Sequence, residues 1–295
     1  MRSQVESLRL KPPTQRGVMS FLRTLDKSWL LLLPILLLIG ALYILPLFNV
    51  LVMSVSDPKP GLGNYERLFT SRGPLRIVIT TLRVCSITTL VTVFFAYFVA
   101  YVMANSREMH RRVLLVCVLL PLWVSVLIRA MSWLVLLRDN GPINSWLMEH
   151  GWIQSPIPLV RNELGVIIGM IHYLLPFAIF PLFATMRDID QRLLFASKSL
   201  GASAKQTFLK VYFPLTAPGV FAASVVVFVF GLGFYVTPAI LGGGRVVMLA
   251  ESISVEVMQT LRWGFAAAQA IFLLVTTLVL MRIMAKTVGF KRGFG

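Results

Sequence analysis

Leu215-Thr216-Ala217-Pro218-Gly219-Val220-Phe221-Ala222-Ala223-Ser224-Val225-Val226-Val227-Phe228-Val229-Phe230-Gly231-Leu232-Gly233-Phe234-Tyr235-Val236-Thr237-Pro238-Ala239-Ile240-Leu241 carries no charged side chain. A helix needs about 20 mostly apolar residues to cross a bilayer core, and this run exceeds that. It lacks the strict apolar–polar alternation of an outer-membrane strand. In hydrocarbon every backbone N–H and C=O must find an internal partner, so a continuous run of this kind reads as helix.

Five further blocks share the pattern. Trp29 to Met53 is uncharged, and Val84 to Met103 is uncharged and extends back to Ile77 across Arg83. Val113 to Leu137 is interrupted by Arg129 alone, Leu164 to Met186 holds one histidine, His172, and Gly264 to Met281 closes at Arg282. The reading is an all-α membrane protein with six transmembrane helices. The composition agrees: 57% hydrophobic, 14% charged, mean hydropathy +0.80, against roughly 45–50% and about 25% in soluble domains. That excludes a disordered chain, a disulfide scaffold and an ordinary soluble enzyme. The first block is no cleavable signal, because a long polar segment precedes it and no small-x-small site follows. Cys85 and Cys117 sit in apolar runs without metal-ligand spacing and read as packing residues.

The net charge of +16 is first a topology signal. With the N-terminus inside, segments 1–28, 104–112, 187–214 and 282–295 hold 18 Lys/Arg against 5 acids. Segments 54–76, 138–163 and 242–263 hold 8 against 7. This is the positive-inside bias, and it removes the motive for a nucleic-acid reading. Residues 1–28 read as a cytoplasmic basic tail, 29–286 as the transmembrane domain with its cytoplasmic loop 187–214, and 287–295 as a second cytoplasmic tail. Both termini are expected in the cytoplasm.

The loop between the fourth and fifth blocks reads as helix, break, helix. Asp188 or Asp190 is placed to cap the first helix. Leu193, Ala196 and Leu200 share one face. Gly201 supplies a left-handed C′ residue, and Ser203 caps the second helix, whose apolar side is Phe208 and Val211. Pro214 is expected to end that helix and begin the next membrane segment. A short amphipathic helix of this kind fits either a partner's groove or the bilayer surface.

This loop is similar to the EAA loop of permease subunits of binding-protein-dependent ABC importers: Glu-Ala-Ala, three residues, Gly, nine residues, Ile-x-Leu-Pro. Phe195, Ala196, Ser197, Gly201, Val211, Phe213 and Pro214 occupy those places, with Phe195 where the family has a glutamate that contacts the ATPase. Gly63-Asn64-Tyr65-Glu66-Arg67-Leu68-Phe69 resembles the family's Asn-Tyr-x-x-Leu-Phe segment. Ile128-Arg129-Ala130-Met131-Ser132-Trp133, Gly141-Pro142-Ile143-Asn144 and Phe234-Tyr235-Val236-Thr237-Pro238 resemble the spermidine/putrescine group. The resemblance implies a type I ABC importer permease-like bundle in the bacterial inner membrane. It implies a dimer of ATP-binding subunits docked on Phe195, Ala196, Ser197, Leu200, Gly201, Ala202 and Pro214. It also implies a second, homologous permease subunit, an external solute-binding protein, and a spermidine- or putrescine-like cargo. Opines, aminophosphonates and ferric iron are the alternative cargoes.

No Gly-x-x-x-x-Gly-Lys-Ser/Thr loop occurs, so ATP belongs to a partner and the chain itself carries no cofactor. No catalytic constellation and no metal-ligand spacing is present. His110, His150 and His172 lie in separate segments. Ionisable and aromatic groups in or beside the blocks are candidates for the path or for contact with the binding protein: Arg129, Trp133, His172, Tyr235 and Glu251. For Arg129 the alternative is snorkelling to the outer interface, and for His172 an interhelical hydrogen bond. Thr80, Thr81, Thr88, Thr89 and Thr92 suit helix packing. Leu249 to Leu261 is expected as an amphipathic helix bearing Glu251 and Glu256. An ion-coupled secondary transporter is the competing class. It predicts intramembrane acids and inverted repeats, and the blocks contain neither.

Overall fold

The computed structural model describes residues 28–292. The tail read over 1–28 lies outside the described residues up to residue 27, and the second tail does so from 293. The described residues up to Val52 and those from Met53 form two units. The first carries α1 (Ser28–Ile39), a π-helical turn (Gly40–Ile44) and most of α2 (Leu45–Ser56). From Leu32 to Ser56 this is one apolar stretch long enough to cross a membrane.

The second unit contains α3 (Gly63–Thr70), α4 (Arg72–Asn105), α5 (Glu108–Leu119), α6 (Val126–Leu137), α7 (Pro142–Glu149) and α8 (Glu163–Arg187). It continues with α9 (Gln191–Ser199), α10 (Ala204–Thr207), α11 (Phe213–Leu232), α12 (Val236–Gly242), α13 (Leu249–Met258) and α14 (Trp263–Arg292). Among the described residues five helices are long and apolar enough to span, and a sixth is reached only by taking α5 and α6 as one broken span bent by 95°.

Its centre is where α4, α8 and α11 pack. Val84, Thr88, Thr92, Ala96 and Ala100 of α4 are buried at every fourth position, as are Val166, Met170, Leu174, Ala178, Leu182 and Met186 of α8. These are the i±4 ridges that interlock when two helices pack. Lipid tails are as apolar as leucine, so close van der Waals fit replaces the hydrophobic effect as the force between helices. Hence the small residues at the contact. Gly169 shows it best: an added Cβ would lie 2.5 Å from Leu241 Cδ1 and 2.7 Å from Thr237 Cγ2, so only glycine lets α12 rest on α8. Cys85 is buried here, whereas Cys117 is exposed.

Proline explains where the helices deform. Pro46 and Pro214 each follow a π-turn, Gly40–Ile44 and Phe208–Tyr212. Proline has no N–H for the carbonyl four residues back and its ring crowds that carbonyl. A wider turn at that point accommodates both faults. Pro214 therefore does not end a helix as expected: Ala204–Leu232 runs as one span through the π-turn. Pro121 behaves differently. It lies in a 3-10 turn, Leu120–Trp123, after which Val124 and Ser125 are extended and Ser125 caps α6 by accepting from Leu127 N–H at 3.3 Å. The third apolar block, expected as a continuous helix, is broken there. The fifth also breaks, at Gly233 and Tyr235, between α11 and α12.

Candidate functional site

The loop after α8 folds as its sequence dictates. Asp190, not Asp188, caps α9 by accepting from Arg192 N–H at 2.8 Å. Gly201 has φ +83°. Its N–H bonds to Lys198 O at 2.9 Å while Ala202 N–H bonds to Ser197 O at 3.1 Å, the paired 5→2 and 6→1 bonds of a Schellman motif. Ser203 and Gln206 then form a reciprocal capping box, with Ser203 N–H donating to Gln206 Oε1 at 2.9 Å and Gln206 N–H to Ser203 Oγ at 3.3 Å. Ser197 Oγ and Thr207 Oγ1, 2.9 Å apart, tie the two short helices together.

Two kinds of residue alternate along this loop. Ile189, Leu194 and Phe208 pack inward against the core. Phe195 and Leu200 stand outward, 64% and 88% exposed, and Ala196 is also exposed. The inward side reaches α4 through aromatic contacts: Tyr101 meets Phe208 and Tyr212 edge-on, with centroids 6.3 and 5.4 Å away. Tyr97 OH lies 3.1 Å from Thr216 Oγ1. The exposed apolar pair thus sits on a platform joined to the core helices.

A second cluster lies at the break before α6. The Arg129 side chain turns back along its helix. Its Nη2 donates to the carbonyls of Pro121 and, at 2.8 Å, Val124. Its guanidinium lies over the Tyr173 ring, 4.9 Å from the centroid. Arg129 is buried, so it does not snorkel. It donates to Val124 O, which the broken helix has freed, and adds a second donor to Pro121 O beside the Val124 N–H, while Nε and Nη1 remain buried without a partner. One turn on, Trp133 Nε1 donates to His172 Nδ1 at 3.1 Å. Tyr173 packs edge-on against Phe234 with centroids 4.8 Å apart and stacks on Phe177. Tyr235 lines an adjoining pocket of about 200 Å³ with Val126, Tyr173, Gly233, Phe234 and Val236. The structure therefore gathers Arg129, Trp133, His172 and Tyr235 where α6, α8 and α12 approach. Phe234 belongs to the stretch that resembles the spermidine/putrescine group, whereas nothing but its apolar character marks its counterpart Phe177 in the sequence.

Glu251 belongs elsewhere, on α13. This helix starts at Leu249, whose N–H donates to Thr81 Oγ1 at 2.8 Å, and ends at Met258, short of the expected Leu261. Glu251 is buried with Oε2 unpartnered. Burial pushes its carboxyl pKa up, partly offset by a backbone hydrogen bond from Met248. Glu256 is paired instead, with Arg262 Nε at 2.7 Å and Nη2 at 2.9 Å. Arg83 and Glu163 join α4 to α8 in an ion pair.

A third polar feature escaped the sequence reading because its members are far apart in the chain. Leu134, Arg138, Asp139, Asn140, Pro158, Val160, Arg161 and Arg245 line a cleft of about 670 Å³. Among the described residues no three His, Cys, Asp or Glu side chains are grouped to hold a metal ion.

Comparison with known proteins agrees with this architecture. The chain is 34% identical over 220 residues to the spermidine/putrescine transport system permease protein PotB of Haemophilus influenzae, covering 74% of this chain and 76% of that one. It is 32% identical over 214 residues to PotB of Escherichia coli, covering 72% and 77%. A bacterial ABC transporter that imports the acidic polysaccharide alginate has the same fold, with TM-score 0.71 at 20% identity over 91% of this chain and 98% of that one. Residues 93–287 match the family described as binding-protein-dependent transport system inner membrane component. The chain belongs to that family, and is thus a multi-pass inner-membrane transport subunit and not an enzyme.

Proposed function

We propose that this subunit forms half of the membrane pore of an ABC importer for spermidine, putrescine or a related amine. An external binding protein delivers the cargo, and a homologous permease completes the pore. A pair of ATPase subunits docks on the loop from Asp188 to Pro214. Both chain termini lie on the ATPase side, where basic residues are in excess. Docking biases the helices between inward- and outward-open states, and ATP supplies the difference in free energy between them.

One observation carries the docking role: Phe195 and Leu200 project as exposed apolar side chains from a helix and its C-cap, closed by a Schellman motif and followed at once by a helix that starts in a capping box. Large apolar groups on a preorganised helix favour burial in a protein groove. The cargo class rests on the names of the relatives. Arg129, Trp133, His172 and Tyr235 are assigned to the wall of the path, where Trp133 and Tyr235 offer aromatic faces to a passing ammonium group.

The test is co-purification followed by uptake. The tagged chain, extracted in mild detergent from its native host, is expected to bring an ATPase subunit and a second permease. Cells lacking the chain should lose uptake of labelled spermidine or putrescine. A chain that purifies alone after cross-linking would overturn the importer reading. Retained polyamine uptake with loss of another solute would overturn the cargo alone.

A further inference from the structure

We propose that the cleft of Arg138, Arg161 and Arg245 is the receptor for acidic side chains on the docking face of the external binding protein, an inference that rests on the importer reading above.

Each arginine comes from a different element. Arg138 closes α6, Arg161 precedes α8, and Arg245 follows the glycines after α12. Asp139 is the sole acid among the lining residues. None of the three guanidiniums has a salt bridge among the described residues, and the acids Glu163, which follows Arg161 in the chain, and Glu256 are engaged elsewhere. Glu163 pairs with Arg83 and Glu256 with Arg262. The cleft therefore keeps an uncompensated positive charge.

Its backbone is fixed without a partner. Arg161 holds a left-handed φ of 58°, a conformation rare for a non-glycine residue. Its N–H donates to Leu241 O at 2.7 Å, and its stem covers Gly243, where an added Cβ would lie 2.8 Å from Arg161 Cγ. The fully buried Asn144 clamps the other wall. Its Nδ2 donates to Arg138 O at 3.1 Å and Ile157 O at 3.0 Å, and its Oδ1 accepts from Ile157 N–H at 2.9 Å. Arg138 and the strand of chain entering Pro158 are thus held in register.

The chemistry selects the occupant. Guanidinium forks match carboxylates two bonds at a time. An ammonium cargo would be repelled here. All three arginines are exposed, so a free small anion would be held weakly in high dielectric. An acidic protein face, in contrast, gains both steering over a Debye length and several contacts at once. Position agrees. The 25 residues of α8 rise about 37 Å between its start, which follows Arg161 of the cleft, and the ATPase-docking loop after Arg187, so the cleft faces the opposite side of the membrane.

The experiment uses the complete transporter in liposomes and, as probe, the cargo-loaded binding protein that supports uptake in the native host. ATPase rate is measured against binding-protein concentration. R138Q/R245Q should raise the half-saturating concentration roughly fivefold to tenfold, the loss of two exposed charge pairs, with the maximal rate unchanged. R138K/R245K should keep most of the affinity. Added salt should weaken docking in the wild type and much less in the Gln variant. An unchanged half-saturation in R138Q/R245Q overturns the proposal. So does normal docking with an altered cargo dependence, which would make the cleft a subsite for the cargo. A wild-type transporter whose ATPase ignores the binding protein altogether would instead overturn the importer reading.

Discussion

Trp133 donates its indole N–H to Nδ1 of His172 across 3.1 Å, linking α6 to α8 just beyond the broken turn. Indole nitrogen only donates, so Nδ1 must be the acceptor and His172 is neutral with any ring proton on Nε2. An imidazolium would lose this bond. Trp133→Phe keeps one aromatic ring against the core and removes the donor. The expected cost is about 1 kcal/mol of stability, read as earlier thermal unfolding in detergent. His172→Gln, whose side-chain oxygen can accept in place of Nδ1, should fall between wild type and Trp133→Phe. A Trp133→Phe protein as stable as wild type would remove the bond from any account of how α6 is held.

Arg129 is expected to be more costly. Its Nη2 serves the Pro121 and Val124 carbonyls. Arg129→Met keeps the stem and leaves Val124 O without that donor, inside the membrane where water cannot replace it. An unsatisfied buried group costs about 1–3 kcal/mol, so Arg129→Met should lower the yield of folded protein and abolish uptake. Arg129→Lys should recover folding in part, because an ammonium can bond the carbonyls but lacks the planar fork. The measurement is monodispersity in detergent beside uptake. Full uptake in Arg129→Met would contradict the bracing role.

What the sequence displayed and what it concealed follow from the range of the interactions. Asp190, Gly201 and Ser203 were legible because caps and C′ glycines are set within a few residues. The apolar blocks were legible because hydrocarbon leaves one solution for the backbone. Pro121 and Pro214 were not distinguishable: the same residue type breaks a helix in one case and is absorbed by a π-turn in the other. The difference is tertiary. At the first, Arg129, seated over the Tyr173 ring, donates to the carbonyls at the break. At the second, Tyr101 and Phe208 brace a continuous helix. The pairing of Trp133 with His172 and the cleft of three arginines depend on contacts between distant segments, which no single-chain periodicity encodes.

Gly201 offers the sharpest separation of folding from coupling. A Cβ there meets no atom within 4 Å, yet φ is +83°. The penalty is therefore conformational alone, on the order of 1–2 kcal/mol for a non-glycine residue. It falls on an exposed residue that takes no part in the core packing. Gly201→Ala should insert and pack normally but fray the Schellman turn, weakening ATPase retention and lowering uptake severalfold. Gly201→Asp should abolish uptake with normal membrane insertion. Unchanged uptake in Gly201→Asp would sink the docking role. Phe195→Ala should mimic the loss of ATPase retention without disturbing the turn.

Glu251 gives a pH dependence of defined sign. Burial raises its pKa above the ordinary 4.5, with the Met248 backbone bond opposing. The folded protein therefore binds this proton more tightly than the unfolded chain does. The stabilisation linked to it is fully present below about pH 4.5 and is lost as pH rises through the folded value. At neutral pH the group is a net burden. Glu251→Gln keeps the hydrogen-bonding shape and removes the charge. The difference in thermal stability, variant minus wild type, should be smallest in mild acid and should grow toward neutrality in favour of the variant. Scanning both proteins in detergent from pH 4.5 upward to neutrality reads this directly, since the folded-state value lies above the ordinary 4.5. A difference that is flat across the range, or that grows toward acid, would show Glu251 to be ionised and satisfied in the folded state.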